Sequence, residues 1–108
     1  MKLIFAIVNN DDSYEVQTKL NENGFYLTKL ATTGGFLQKG NTTLIIGTED
    51  ELVEKALEII KEYSKKRIEK APIVPHSSFG GFSPVQFVDV PVGGATIFVI
   101  DIDQFNKF

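Results

Sequence analysis

Three continuous apolar runs, Leu3–Val8, Leu44–Ile46 and Ile97–Ile100, constrain the fold of this chain more than any other feature. Each is short, rich in β-branched or aromatic residues and bounded by polar or glycine-containing segments, which is the pattern of a strand with apolar side chains on both faces. Against them stand only two stretches with helical periodicity. Two helices cover one face of a small sheet, so the chain must bury the other face against something else. Self-association is the economical solution, because a contiguous apolar patch of more than a few hundred Å² is rare on soluble monomers.

The segments between the runs complete the pattern. After Leu3–Val8, the polar cluster Asn9-Asn10-Asp11-Asp12 leads to a helix capped by Asp12 or Ser13, with Val16 and Leu20 facing inward and a stop at Asn23-Gly24. Phe25–Ala31 and Thr42–Gly47 read as the second and third strands. Thr48-Glu49-Asp50-Glu51 forms a capping-box signature for a second helix, carrying Leu52, Ala56, Ile59, Ile60 and Tyr63 on one face. Lys65, Lys66 and Arg67 at its end complement the helix dipole, with Arg67 a solvated charge. From Ile68 to Pro84 the prolines, serines and Phe79-Gly80-Gly81-Phe82 break any periodicity, which predicts a long mobile loop over residues 68–84. Val85–Val90 and Ala95–Ile102 are the fourth and fifth strands, joined by Pro91-Val92-Gly93-Gly94, and Asp103–Phe108 is a tail. The predicted class is α+β: a single domain over residues 1–108 in which a ferredoxin-like βαββαβ sandwich is extended by an extra C-terminal strand.

Composition narrows the partners. Eleven Lys+Arg against fourteen Asp+Glu leave a net charge of -3, which argues against nucleic acid polymers and acidic membranes and requires any anion to be held by local donors. With no cysteine and one isolated histidine, His76, neither a disulfide nor a metal site is expected. Leu3–Val8 ends in Asn9-Asn10 without a cleavage signature, and no later apolar run approaches ~20 residues, so a cytoplasmic domain without membrane insertion is expected.

The segment Leu30–Thr43, LATTGGFLQKGNTT, concentrates binding chemistry in one connection. Thr32 and Thr33 supply hydroxyls, Gly34 and Gly35 let backbone N–H groups approach an anion, Phe36 offers a stacking face and Asn41 an amide that can read a base edge. A tight turn alone accounts for the glycines. It accounts for neither the aromatic residue at the tip nor the Thr/Asn positions that follow. We therefore take residues 32–41 as a glycine-rich ligand loop.

These residues carry a resemblance. LTKLATTGGFLQKGNTTLIIG from Leu27 to Gly47, Glu49-Asp50, Val92-Gly93-Gly94-Ala95-Thr96 and the tail Asp103-Gln104-Phe105 are together similar to the PII-like cyclic di-AMP receptor family, and the similarity runs from Met1 to Phe108. The resemblance implies a homotrimer that binds cyclic di-AMP, with no further cofactor, in three clefts between neighbouring subunits. It implies a non-enzymatic second-messenger receptor, whose ordered loops a downstream protein reads. The sequence does not identify that protein. Carried onto this chain, the ligand contacts implied are Thr28, Gly35, Phe36, Leu37, Asn41, Gly47, Phe98 and Gln104. By pattern alone Phe98 reads as core, Gln104 as a solvated tail residue and Thr28 as an ordinary strand threonine; only the resemblance promotes them. Tyr26 stands where family members carry an arginine able to pair with a phosphate.

Two other classes share the scaffold. A PII-type regulator sensing ATP or another adenine nucleotide would have the same fold and trimer, but the turn from Thr33 to Gly40 is too short for that family's effector loop. A small acyl-phosphate hydrolase would need an arginine in the phosphate loop and a positioned base, and the Gly34-Gly35 loop supplies neither.

Overall fold

The computed structural model describes residues 1–30, 40–73 and 86–108. In chain order the elements are β1 (Lys2–Asn9), α1 (Asn10–Glu22), β2 (Leu27–Leu30), β3 (Asn41–Thr48), a 3-10 turn (Asp50–Leu52), α2 (Val53–Tyr63), β4 (Arg67–Ile73), β5 (Gln86–Val92) and β6 (Ala95–Asp101). Four strands form an antiparallel sheet in the order β2-β3-β1-β6, and β4 pairs with β5 in a separate antiparallel ribbon. A small antiparallel sheet with two helices is compatible with the predicted ferredoxin-like fold.

The period-2 pleat of β1 and β3 sorts their side chains. Ile4, Ala6 and Val8 alternate with Leu3, Phe5 and Ile7, while Leu44 and Ile46 alternate with Thr43 and Ile45. The first set of each is buried under α1 and α2, where Val16, Leu20, Val53, Ala56 and Ile60 complete the core with Phe25. Ile59 and Tyr63 pack against its edge as the helical spacing predicted, but Leu52 is exposed and Val53 takes the inward place. The second set faces away from the helices, so no element of the described residues covers it.

Several boundaries differ from the sequence reading. The first helix is capped by Asn9, whose side-chain oxygen accepts from the Asp11 N–H at 2.9 Å, leaving Asp12 and Ser13 buried in the first turn. The capping box does not form: Thr48 is buried at the end of β3, the chain enters α2 through the 3-10 turn, and neither start has a side-chain cap. The largest correction concerns residues 68–84, because Arg67–Ile73 is a strand registered on Gln86–Val92, with Glu69 opposite Val90 and Ala71 opposite Val88. Pro72 is tolerated there because a two-stranded ribbon has an unpaired side on each strand. Ala95–Asp101, expected as a C-terminal strand added to the βαββαβ unit, pairs with β1 at the edge of the four-stranded sheet, while β4 and β5 form the separate ribbon. The rest of the predicted loop, from residue 74, and Val85 lie outside the described residues.

Candidate functional site

Strand register determines which of the implied contact residues share a surface. Thr28, Ile45, Phe5 and Phe98 are successive partners across all four strands, forming one rung on the face away from the helices. Gly47, Leu3 and Ile100 make a neighbouring rung on that face, and Asn41 lies on it at the opposite end of β3. Phe98 is therefore not core: it is 55% exposed beside Ile100 at 49%. Gln104 follows β6 at the Gly47 end of the sheet, where the Ile102 N–H donates to the Met1 carbonyl at 3.1 Å, and its side chain is exposed. Gly35, Phe36 and Leu37 lie outside the described residues.

The shared face does not bring these residues into one cleft. Thr28 and Phe98 occupy opposite edge strands, three strand spacings or about 14 Å apart, and Asn41 and Gly47 are separated by about 20 Å of strand. Gly47 has an ordinary strand conformation, and a Cβ built on it meets nothing within 4 Å. Nothing in the described residues explains the missing side chain, whereas a close approach from outside the chain would.

At the Asn41 end the structure forms a polar groove of about 210 Å³, lined by Ile7, Asn41, Lys66, Gly93, Gly94, Ala95 and Thr96. Sequence-distant segments meet here for local reasons. Asn10, at the start of α1, donates its backbone N–H to the Gly40 carbonyl and accepts from the Thr42 hydroxyl through its side-chain oxygen, which fixes the root of the glycine-rich loop. Two residues on, Asp12 is 7% exposed and accepts two hydrogen bonds from Arg67, Nη2 to Oδ1 at 2.9 Å and Nη1 to Oδ2 at 3.2 Å. Arg67 also donates through Nε to Glu69 at 3.1 Å, and these hydrogen bonds, first that of Asp12 and then that of Glu69, raise its pKa further above an already high value. Arg67 is thus the fork that ties the root of β4 to α1, not a solvated charge at a helix end.

The turn between β5 and β6 is held against the same root. Gly93 has φ +83°, and a Cβ there would strike the Lys65 carbonyl oxygen and sit 2.7 Å from Arg67 Nη1, so both the conformation and the close approach require glycine. The next N–H, that of Gly94, donates to the Ser64 carbonyl at the C-cap of α2. On the helix side of this turn a larger groove of about 570 Å³ runs along Leu57, Lys61, Ser64, Lys65, Lys66, Gly94, Ala95 and Ile97. Sequence reading missed Asn10, Asp12, Lys66 and Arg67; the polar cluster Asn9-Asn10-Asp11-Asp12 was visible, but its partners lie far along the chain.

The described residues thus form a small α+β domain with an open apolar sheet face and a groove lined by Asn41, Lys66 and Thr96. Comparison with known proteins shows the family: a family model for the cyclic-di-AMP receptor matches residues 1–108, and the chain belongs to that family. Its fold is similar to the crystal structure of a functionally unknown protein from Pediococcus pentosaceus, with 42% sequence identity, a TM-score of 0.74, and coverage of 99% of this chain and 96% of that one.

Proposed function

We propose that this protein is a non-enzymatic receptor that binds cyclic di-AMP at clefts between the subunits of a homotrimer and passes on the bound state through loop ordering. The observation that carries the reading, beside membership of the family, is the division of the contact residues between opposite edges of one sheet face. With Thr28 on β2 and Phe98 on β6, a single bound nucleotide reaches both kinds of contact most simply where the β2 side of one copy meets the β6 side of the next. A head-to-tail contact of this kind gives a ring when its rotation closes on three copies, and a homotrimer so formed would turn the apolar side chains of Leu3, Phe5, Ile45, Phe98 and Ile100 toward its interior. Phe36, with Leu37, supplies a surface for a base, and Thr28, Gly35 and Asn41 supply the polar contacts.

Calorimetry with cyclic di-AMP, cyclic di-GMP and ATP, run beside light scattering at micromolar protein, tests this. Saturable binding of cyclic di-AMP in preference to the others, by a particle of three chains, is expected. Preference for ATP would replace the reading with that of a PII-type regulator, and a monomeric mass with ligand bound would exclude intersubunit clefts.

A further inference from the structure

Lys66 belongs to neither a helix nor a strand: it lies between the C-cap of α2 at Ser64 and the first residue of β4. Its stem rests on the turn between β5 and β6, where a Cβ on Gly94 would sit 3.0 Å from Lys66 Cγ and 3.2 Å from Cε. Gly94 has φ +84°, which favours glycine by itself, and its missing side chain leaves room for the lysine stem beside the polar groove. Its neighbour Arg67 is already committed to Asp12 and Glu69, and Lys2, Lys19 and Lys70 are paired with carboxylates; Lys66 forms no ion pair among the described residues, a state it shares with Lys29, Lys55, Lys61, Lys65 and Lys107, and of these six it alone lines the polar groove. The groove around it offers the Asn41 amide and the Thr96 hydroxyl, and no carboxylate is among its described lining residues. An ammonium, an amide and a hydroxyl without a competing acid make an environment suited to an anionic oxygen. At about 210 Å³ the groove is smaller than the ≈ 300 Å³ at which pockets begin to enclose a whole drug-sized ligand, so it accommodates one group of a larger molecule.

We propose that Lys66, with Thr96 and Asn41, binds a phosphodiester oxygen of the nucleotide. The inference rests on the receptor reading above and adds to it a cation supplied from outside the glycine-rich loop. The net charge of -3 sharpens the requirement, since no broad basic field draws the ligand in and a single well-seated ammonium then carries much of the salt dependence.

Calorimetry with cyclic di-AMP at two salt concentrations, on the wild type, Lys66→Met and Lys66→Arg, tests it. Lys66→Met, which keeps the stem on Gly94, should weaken binding about 10- to 100-fold and flatten the salt dependence. Lys66→Arg should retain affinity within about 5-fold, and all three should melt alike without ligand because the side chain is exposed. Wild-type affinity and salt dependence in Lys66→Met would overturn the proposal and leave the receptor reading standing. Equal losses in both variants with a lowered melting temperature would also overturn it, by showing a structural role. Absence of saturable binding in the wild type would overturn the receptor reading itself, and this inference with it.

Discussion

Gly47→Ala separates what the fold requires of Gly47 from what lies beyond the chain. The added methyl group meets no atom within 4 Å, and the position has no positive φ, so the folded chain gives no reason for a penalty. Removing glycine's freedom from the unfolded chain favours folding by about 0.4–1 kcal/mol at a compatible site. With about 4–8 °C per kcal/mol for a domain of this size, the unliganded melting temperature should hold or rise by a few degrees. If a nucleotide approaches this strand closely, the same methyl group overpacks the cleft at a cost of about 1–3 kcal/mol, which lowers affinity for cyclic di-AMP roughly 5- to 150-fold. Gly93→Ala is the internal contrast. There the left-handed conformation alone costs about 1–2 kcal/mol, and the collision with the Lys65 carbonyl adds to it, so stability must fall. Differential scanning fluorimetry and calorimetry on both variants give the answer. Unchanged affinity in Gly47→Ala, or a loss of its unliganded stability independent of protein concentration, would refute the reasoning.

Other expectations bear on the same surface. Phe36→Ala should weaken cyclic di-AMP binding by roughly 5- to 150-fold with little change in unliganded melting, since a base stacked on an aromatic ring is worth about 1–3 kcal/mol; a large loss of stability with affinity retained would make Phe36 a packing residue. Tyr26 is 88% exposed just before β2, and Tyr26→Arg should tighten binding through a charge-assisted hydrogen bond worth about 1.5–3 kcal/mol before ordering costs; unchanged affinity and salt dependence would mean the position faces elsewhere. Arg67→Ala leaves the buried Asp12 carboxylate without its partner, so hydrogen exchange should accelerate in β4 and in the first turn of α1 together; acceleration in β4 alone would show that the fork does not join them.

What the sequence determined by itself is the set of strands built on apolar runs. Leu3–Val8, Thr42–Gly47 and Ala95–Ile102 were legible as strands, because short apolar runs rich in β-branched residues between polar or glycine-containing segments favour a strand whatever it pairs with; burial then alternates along β1 and β3, whereas β6 is mostly exposed. The end of α1 was legible too, since Gly24 at φ +85° is a local demand of the backbone. The family resemblance was equally visible, being carried by contiguous motifs. β4 was not legible. Its partner β5 is largely exposed and the ribbon stands outside the main sheet, so no alternation was imposed on a segment that contains Pro72, Glu69 and Lys70. Tertiary structure alone decided which residues share a surface. Arg67 finds Asp12 at a separation of 55 residues, Lys66 finds its seat on Gly94, and Thr28 and Phe98 fall on one rung only because the register of three strand pairs places them there. Local preference is written residue by residue along the chain, whereas a binding surface is set by which distant segments the core forces to meet.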